Sequence, residues 1–117
     1  TMMESTCVAS ITACANDYSY AYVYRRQLEG LLSMDDMVIG ISTSGSSANI
    51  IEALEYASSR IGKDNTWLLT SERVTDSMQD AFNVFIANTC TTSIAQQIHM
   101  MLVHMICEQI DQTKWGN

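Results

Sequence analysis

The chain contains 117 residues, which is the length of one domain, and we expect residues 1–117 to form a single one. Apolar residues make up 47% of the chain and charged residues 16%, so it can build a core and is not expected to be disordered. A net charge of −7 argues against nucleic acid as a direct partner. No apolar run reaches the ~18 residues that span a bilayer, and residues 1–5 lack the basic start of a signal peptide. We therefore expect a cytoplasmic protein with no membrane partner.

The four cysteines are Cys7, Cys14, Cys90 and Cys107. They form no Cys-x-x-Cys pair, and their spacing fits no zinc ribbon or finger. We expect them to be small buried hydrophobic residues rather than a disulfide framework.

The first third of the chain is predicted to be helical. Ser5 can cap a short helix that ends near residue 15, and Asn16 with Asp17 then forms a turn. Residues 18–24 alternate tyrosine with other residues, which is the period of a strand. We nevertheless predict a helix over residues 18–32, because strong helix formers follow and the apolar residues can share one helical face.

The rest of the chain alternates apolar runs with helical patterns. Strands are predicted at residues 37–42, 66–70 and 84–87, and helices at residues 47–60 and 74–81. A last helix ends near residue 112 and starts with a capping box formed by Ser93 and Gln96. Continuous apolar strands that alternate with helices are typical of an α/β fold with a parallel sheet between two helix layers, a three-layer αβα sandwich. Three strands make a small sheet, so we expect a missing element or a partner chain at one edge.

The segment most indicative of function is residues 40–49, which read Gly-Ile-Ser-Thr-Ser-Gly-Ser-Ser-Ala-Asn. It lies between a predicted strand and a predicted helix, where free backbone N–H groups and the helix dipole attract an anion. Gly45 lets the backbone approach that anion closely. The segment is neither a P-loop nor a dinucleotide fingerprint, and it suits a phosphomonoester. The alternative is a helix cap with spare hydroxyl groups. The hydroxyl donors are Ser42, Thr43, Ser44 and Ser47.

Three motifs resemble one known family. Residues 36–49 resemble the signature of sugar isomerase (SIS) domains, and most of all the phosphoheptose isomerase branch, whose loop reads Ser-Thr-Ser-Gly-Asn-Ser-Ala-Asn. Residues 15–18, Ala-Asn-Asp-Tyr, are similar to that branch's Ala-Asn-Asp-Tyr/Phe. Residues 96–99, Gln-Gln-Ile-His, followed by His104, are similar to its Gln-Glu-Ile/Val-His…His helix. The three motifs occur in the family's order.

The resemblance implies a Rossmann-like or flavodoxin-like fold and an isomerase that interconverts sedoheptulose 7-phosphate and a heptose 7-phosphate. It also implies a homo-oligomer, a tetramer or a dimer, with sites at subunit interfaces. His104 would be an acid/base and a zinc ligand, and Gln96 would contact both the substrate and the zinc ion. The phosphorylated sugar would be bound by Ser42, Thr43, Ser44, Ser47, Asn16 and Asp17.

The sequence also departs from the family's pattern. The family's first strand, its Cys-Gly-Asn-Gly-Gly-Ser loop and the next helix, which carries a zinc-binding histidine and the catalytic glutamate, have no counterpart in residues 1–15. Thr-Ser-Glu-Arg at residues 70–73 replaces the family's glycine-rich turn. Ser93 stands where the family has an Asp or another residue, three positions before its glutamine. The chain therefore corresponds to the C-terminal two-thirds of the family domain. The enzyme competes with a non-catalytic module that binds a sugar phosphate or a replication initiator, and with a structural remnant that the intact serine loop argues against.

The helix residues also have simpler interpretations. His104 can be an ordinary half-buried helix histidine, and Asp17 a solvated cap. His99 and His104 are five residues apart, which places them on different helix faces and excludes a His-x₃-His metal pair. Gln96 and His104 are separated by about 12 Å along an ideal helix, so both side chains would have to reach toward a shared zinc ion. We expect His99 to pack or to support another residue.

Overall fold

The computed structural model describes residues 20–72 and 81–115. The predicted helix before residue 15, almost all of the predicted helix at residues 74–81, and the turn residues Asn16 and Asp17 lie outside the described residues. Two short 3₁₀ segments are Tyr20–Tyr22 and Lys63–Asn65. The other elements are α1 (Val23–Leu31), β1 (Val38–Ile41), α2 (Ala48–Ile61), β2 (Thr66–Ser71), β3 (Asn83–Ala87) and α3 (Thr92–Trp115).

The described strands form one parallel sheet in the order β1-β2-β3. Gly40 pairs with Leu68, which pairs in turn with Val84. Because the strands are parallel, their carboxyl ends meet at one edge of the sheet, and the segments after β1 and β2 lie side by side there. The predicted α/β fold with a parallel sheet is confirmed.

The core lies between α2 and the sheet. Leu54 of α2 and Leu68 of β2 are both 0% exposed, and Phe82, just before β3, is 1% exposed. Gly40 of β1 lets the helix come close, because a Cβ atom at this position would lie 2.9 Å from Ile50 Cγ2 and 3.0 Å from Leu54 Cδ1. Apolar residues at helical spacing supply the buried face of α2: Ala53, Leu54, Ala57 and Ile61.

The tyrosine-rich segment is helical in its described part, as predicted, although its strict alternation is typical of a strand. Val23 at the start of α1 is 1% exposed. Arg25 ties α1 to α2 through a contact of 3.1 Å between Nη1 and Glu52 Oε2. The Arg25 guanidinium also lies 5.6 Å from the ring centres of Tyr22 and Tyr56. Burial of one face and this ion pair outweigh the local period of two.

Helix α3 is continuous over 24 residues. It begins at Thr92, which places the N-cap position at Thr91 and Ser93 inside the first turn, so the predicted capping box of Ser93 and Gln96 is wrong by two positions. Only Ala95 and His99, one turn apart, are fully buried among its described side chains. None of the helices in the described ranges is both long and apolar enough to cross a membrane.

Candidate functional site

The serine loop, residues 42–47, connects the carboxyl end of β1 to the start of α2. Ser47 is the residue before the helix, with φ −66° and ψ 112°, and its side chain makes no capping hydrogen bond. Its carbonyl accepts the N–H groups of Ile50 and Ile51. The first turn of α2 contains no acidic side chain. This helix end therefore offers backbone donors and a partial positive charge to an anion.

Four serine hydroxyls form a connected cluster in this loop. Ser42 Oγ donates to Ser47 Oγ at 3.0 Å and lies 3.5 Å from Ser44 Oγ. Ser46 Oγ donates to Ser44 Oγ at 3.1 Å. The structure thus brings together three of the predicted phosphate-binding residues, Ser42, Ser44 and Ser47. Ser46, which was not among the predicted phosphate-binding residues, belongs to the same cluster.

Gly45 makes the turn in this loop possible. Its φ is +70°, in the left-handed region that favours glycine because a side chain there is strained. Its N–H donates to the Ser42 carbonyl at 3.1 Å, which closes the turn. The chain therefore reverses directly above the sheet edge, and the serine hydroxyls converge.

Buried bonds to β2 hold the loop from below. The Ser42 N–H donates to the Leu69 carbonyl at 3.0 Å, which continues the pairing of β1 and β2 by one residue. The Thr43 carbonyl accepts hydrogen bonds from Thr70 Oγ1, at 3.3 Å, and from Ser71 Oγ. Thr70 and Ser71 are 0% and 1% exposed. Neither residue was among the predicted site residues, because a polar strand end carries no pattern that indicates such a contact.

His99 of α3 contacts the same end of β2. Its side chain is 1% exposed, and Nε2 lies 2.7 Å from the Thr70 carbonyl oxygen. Because a carbonyl only accepts, Nε2 carries the proton and donates it. Nδ1 is buried and has no hydrogen-bond partner in the part of the chain that the structure describes. The expectation that His99 packs or supports another residue agrees with this position.

Gln96 and His104 of α3 are both exposed and are not brought together. The helix is unbroken between them, so they are separated by about 12 Å along its axis. His104 lies about 140° around the helix from the buried His99. Asn16 and Asp17 lie outside the described residues. Outside the serine loop, the predicted site residues that the structure describes, Gln96 and His104, are therefore not gathered at one point.

The described residues do not by themselves fit a zinc ion. No group of three or more His, Cys, Asp or Glu side chains in residues 20–72 and 81–115 could hold a metal. Zinc in proteins is bound by about four ligands, usually Cys, His or carboxylate. Gln96 and His104 would supply two at most.

Comparison with models of protein families gives no match. A probable phosphoheptose isomerase of Thermoplasma acidophilum is 43% identical over 108 residues, which are 92% of this chain and 58% of that protein. A phosphoheptose isomerase of Shewanella sp. strain ANA-3 is 35% identical over 116 residues, 93% of this chain and 56% of that protein.

Two solved structures are similar to the fold described above. The phosphoheptose isomerase GmhA from Neisseria gonorrhoeae superposes with a TM-score of 0.75 at 32% identity, over 91% of this chain and 59% of that one. A phosphoheptose isomerase from Francisella tularensis superposes with a TM-score of 0.80 at 29% identity, over 92% of this chain and 57% of that one. The chain thus spans between half and three-fifths of the length of these relatives.

Proposed function

We propose that the chain binds a sugar phosphate at the serine loop as part of an aldose–ketose isomerase. The proposal is supported by the similar proteins described above, which are named phosphoheptose isomerases. The observation that carries the proposal is the hydroxyl cluster of Ser42, Ser44 and Ser47 at the N-terminus of α2. A helix end lined with hydroxyl donors recognises the terminal oxygens of a phosphomonoester.

The charge of the chain makes local donors essential. At a net charge of −7, the overall field repels a phosphate dianion, so the attraction must come from groups in contact with it. The α2 N-terminus contributes the equivalent of roughly half a positive charge, and the serine hydroxyls can rotate to donate to the anion. Their present bonds to one another keep the hydroxyl oxygens close together.

The substrate that the resemblance implies is sedoheptulose 7-phosphate, and the relatives' name, phosphoheptose isomerase, is compatible with it. Its isomerisation moves a proton between adjacent carbons and needs a base, an acid for the carbonyl oxygen, and an anchor that fixes the sugar. We assign the anchor to the serine loop, the acid/base role to His104, and contacts with the sugar to Asn16, Asp17 and Gln96. Zinc bound with Gln96 and His104 stays a prediction that requires ligands beyond the described residues.

The position of His104 bears on assembly. His99 faces the serine-loop end of β2, whereas His104 is exposed and lies on another face of α3. A His104 that acts on a sugar held by a serine loop would therefore serve the loop of another copy of the chain. A dimeric or tetrameric enzyme in the cytoplasm is part of this proposal.

The alternative is a module that binds sugar phosphates without isomerising them, or that binds a replication initiator. One observation favours it: among the described residues, the groups hydrogen-bonded to the serine loop are hydroxyls and backbone atoms, with no acid or base. Binding and isomerisation therefore need separate measurements.

The binding test removes two hydroxyls of the cluster. Calorimetry with sedoheptulose 7-phosphate should give a Kd about 100-fold weaker for Ser44→Ala combined with Ser47→Ala, because each hydroxyl loses a hydrogen bond to a charged group. Ser59→Ala is the matched control, since Ser59 is an exposed serine near the other end of α2 that donates to the Tyr56 carbonyl. An unchanged affinity of the double variant for sedoheptulose 7-phosphate would show that the serine loop does not bind the phosphate. Isomerase activity of the same preparations then separates the enzyme from the binding module.

A further inference from the structure

We infer that His99 is a positioning residue for the serine loop. It holds the end of β2, where the Thr70 and Ser71 hydroxyls orient the Thr43–Ser44 peptide so that the Ser44 N–H faces the bound phosphate. The inference deepens the proposed function and rests on it, since it assigns roles at the same site. It concerns residues that make no direct contact with the substrate.

The first step is the continuity of the buried bonds. His99 Nε2 donates to the Thr70 carbonyl at 2.7 Å, and the side chains of Thr70 and its neighbour Ser71 donate to the Thr43 carbonyl. All three donating side chains are at most 1% exposed. Buried hydrogen bonds of this kind are strong and fix geometry, because water does not compete for the groups.

The second step concerns the peptide that these bonds hold. In a trans peptide, the carbonyl of one residue and the N–H of the next point in opposite directions. The Thr43 carbonyl is bonded toward β2, so the Ser44 N–H is directed away from β2. The Ser44 hydroxyl is at the centre of the serine cluster, bonded to Ser46 Oγ and 3.5 Å from Ser42 Oγ. A rotation of this peptide would move both donors of Ser44 relative to the anion.

The third step is why His99 is needed. β1 pairs with β2 only as far as Ile41 and Leu69, so Thr70 lies one residue beyond the last position paired with β1, although it still pairs with Ile86 of β3 on its other side. There the bond from His99 joins α3 to the strand end. Without it, the Thr70 carbonyl would be left in a buried environment with one hydrogen bond fewer, and the strand end could shift.

Two threonines on β2 give a matched comparison. Thr70 and Thr66 are both 0% exposed, and each donates through Oγ1 to a backbone carbonyl, at 3.3 Å to Thr43 and at 3.0 Å to Gly62. They lie near opposite ends of the strand. We expect Thr70→Val to weaken the Kd for inorganic phosphate and for sedoheptulose 7-phosphate about fivefold, the value of one hydrogen bond. Thr66→Val should leave both within twofold, although it also loses a buried bond.

His99 is tested by removal and rescue. His99→Leu should weaken phosphate affinity about tenfold, and His99→Gln should recover most of it, because its amide nitrogen can again donate to the Thr70 carbonyl. A spectroscopic readout accompanies both: adding phosphate should shift the Ser44 amide resonance in the unmodified protein and shift it less in His99→Leu and Thr70→Val. Circular dichroism checks that each variant is folded. If His99→Leu does not fold, Ser71→Ala takes its place.

Each result of these experiments either supports or overturns the positioning role of His99. Equal losses in Thr70→Val and Thr66→Val, or a His99→Gln variant that binds phosphate as poorly as His99→Leu, overturn the inference while the proposed function stands. An unmodified protein that binds neither inorganic phosphate nor sedoheptulose 7-phosphate overturns both. A selective loss in Thr70→Val with rescue by His99→Gln supports the positioning role.

Discussion

Gly40 is the position where the sheet and α2 come closest, and Gly40→Ala should destabilise the protein. The added Cβ would lie 2.9 Å from Ile50 Cγ2 and 3.0 and 3.1 Å from the two methyl carbons of Leu54. Carbon atoms in good contact are separated by roughly 3.5 to 4.0 Å, so each neighbour has to retreat by at least about 0.5 Å. Leu54 is 0% exposed and packs against Leu68 and Phe82, so it has no open space to enter.

The size of the effect follows from two opposing terms. Overpacking of a core by one methyl group costs about 1 to 3 kcal/mol. Replacing glycine in a strand returns roughly 0.5 to 1 kcal/mol of backbone entropy. We therefore expect Gly40→Ala to lower the free energy of unfolding by about 0.5 to 2 kcal/mol. Because Ile50 lies in the first turn of α2, phosphate affinity should fall as well.

Urea denaturation followed by circular dichroism measures this difference, and Gly30→Ala is the matched control. A Cβ at Gly30, in α1, would meet nothing within 4 Å. That variant should gain up to about 1 kcal/mol, because alanine is the better helix former. A Gly40→Ala protein as stable as the unmodified chain would show that α2 can move off the sheet without cost. The close-contact argument would then be wrong.

Two further substitutions test the assigned core and the dependence of protein stability on pH in the acidic range. In urea denaturation, Leu54→Ala should lower the free energy of unfolding by about 2 to 5 kcal/mol. Leu31→Ala is the control: Leu31 is 59% exposed, so its free energy of unfolding should change by no more than about 0.5 kcal/mol. Equal effects of the two changes would contradict the assigned core. The hydrogen bond from Arg26, at 2.7 Å, holds the pKa of Glu29 below its ordinary value. A lowered carboxyl pKa stabilises the folded protein above the ordinary pKa, and this contribution is lost as the pH falls through the folded-state value. Glu29→Gln should therefore lose less stability on acidification, and a pH profile identical to that of the unmodified protein would refute the assignment.

The sheet was predictable because its strands are short continuous apolar runs between turn residues. The predicted strands correspond to β1, β2 and β3, and no predicted end differs from the observed one by more than one residue. The predictions were residues 37–42, 66–70 and 84–87. The central strand β2 is buried along nearly its whole length, and the alternation of strands with helices is typical of a parallel sheet. The serine loop was predictable for the same local reason, since strand, glycine turn and helix follow one another in ten residues.

The supports of the loop were not predictable from local pattern. Thr70 and Ser71 end a strand and resemble any polar strand terminus, and their acceptor, the Thr43 carbonyl, is 27 and 28 residues away. His99 is one of two histidines on α3, and no sequence feature identifies Thr70, 29 residues away, as its partner. Such contacts depend on the register of the sheet and on where α3 crosses it, and neither is encoded in a short window.

The proposed acid/base residue, His104, lies on a different face of α3 from His99, which contacts β2 below the proposed phosphate anchor. Phosphate binding and isomerisation can therefore depend on different conditions. The serine loop, its glycine and its supporting bonds all lie within one chain, so the proposed phosphate site uses groups of a single copy. His104 is exposed and lies about 140° around α3 from His99. If it serves the loop of another copy, isomerisation depends on assembly while phosphate affinity does not. Diluting the protein would then reduce turnover per chain and leave the phosphate Kd unchanged, which is why binding and catalysis have to be judged by separate measurements.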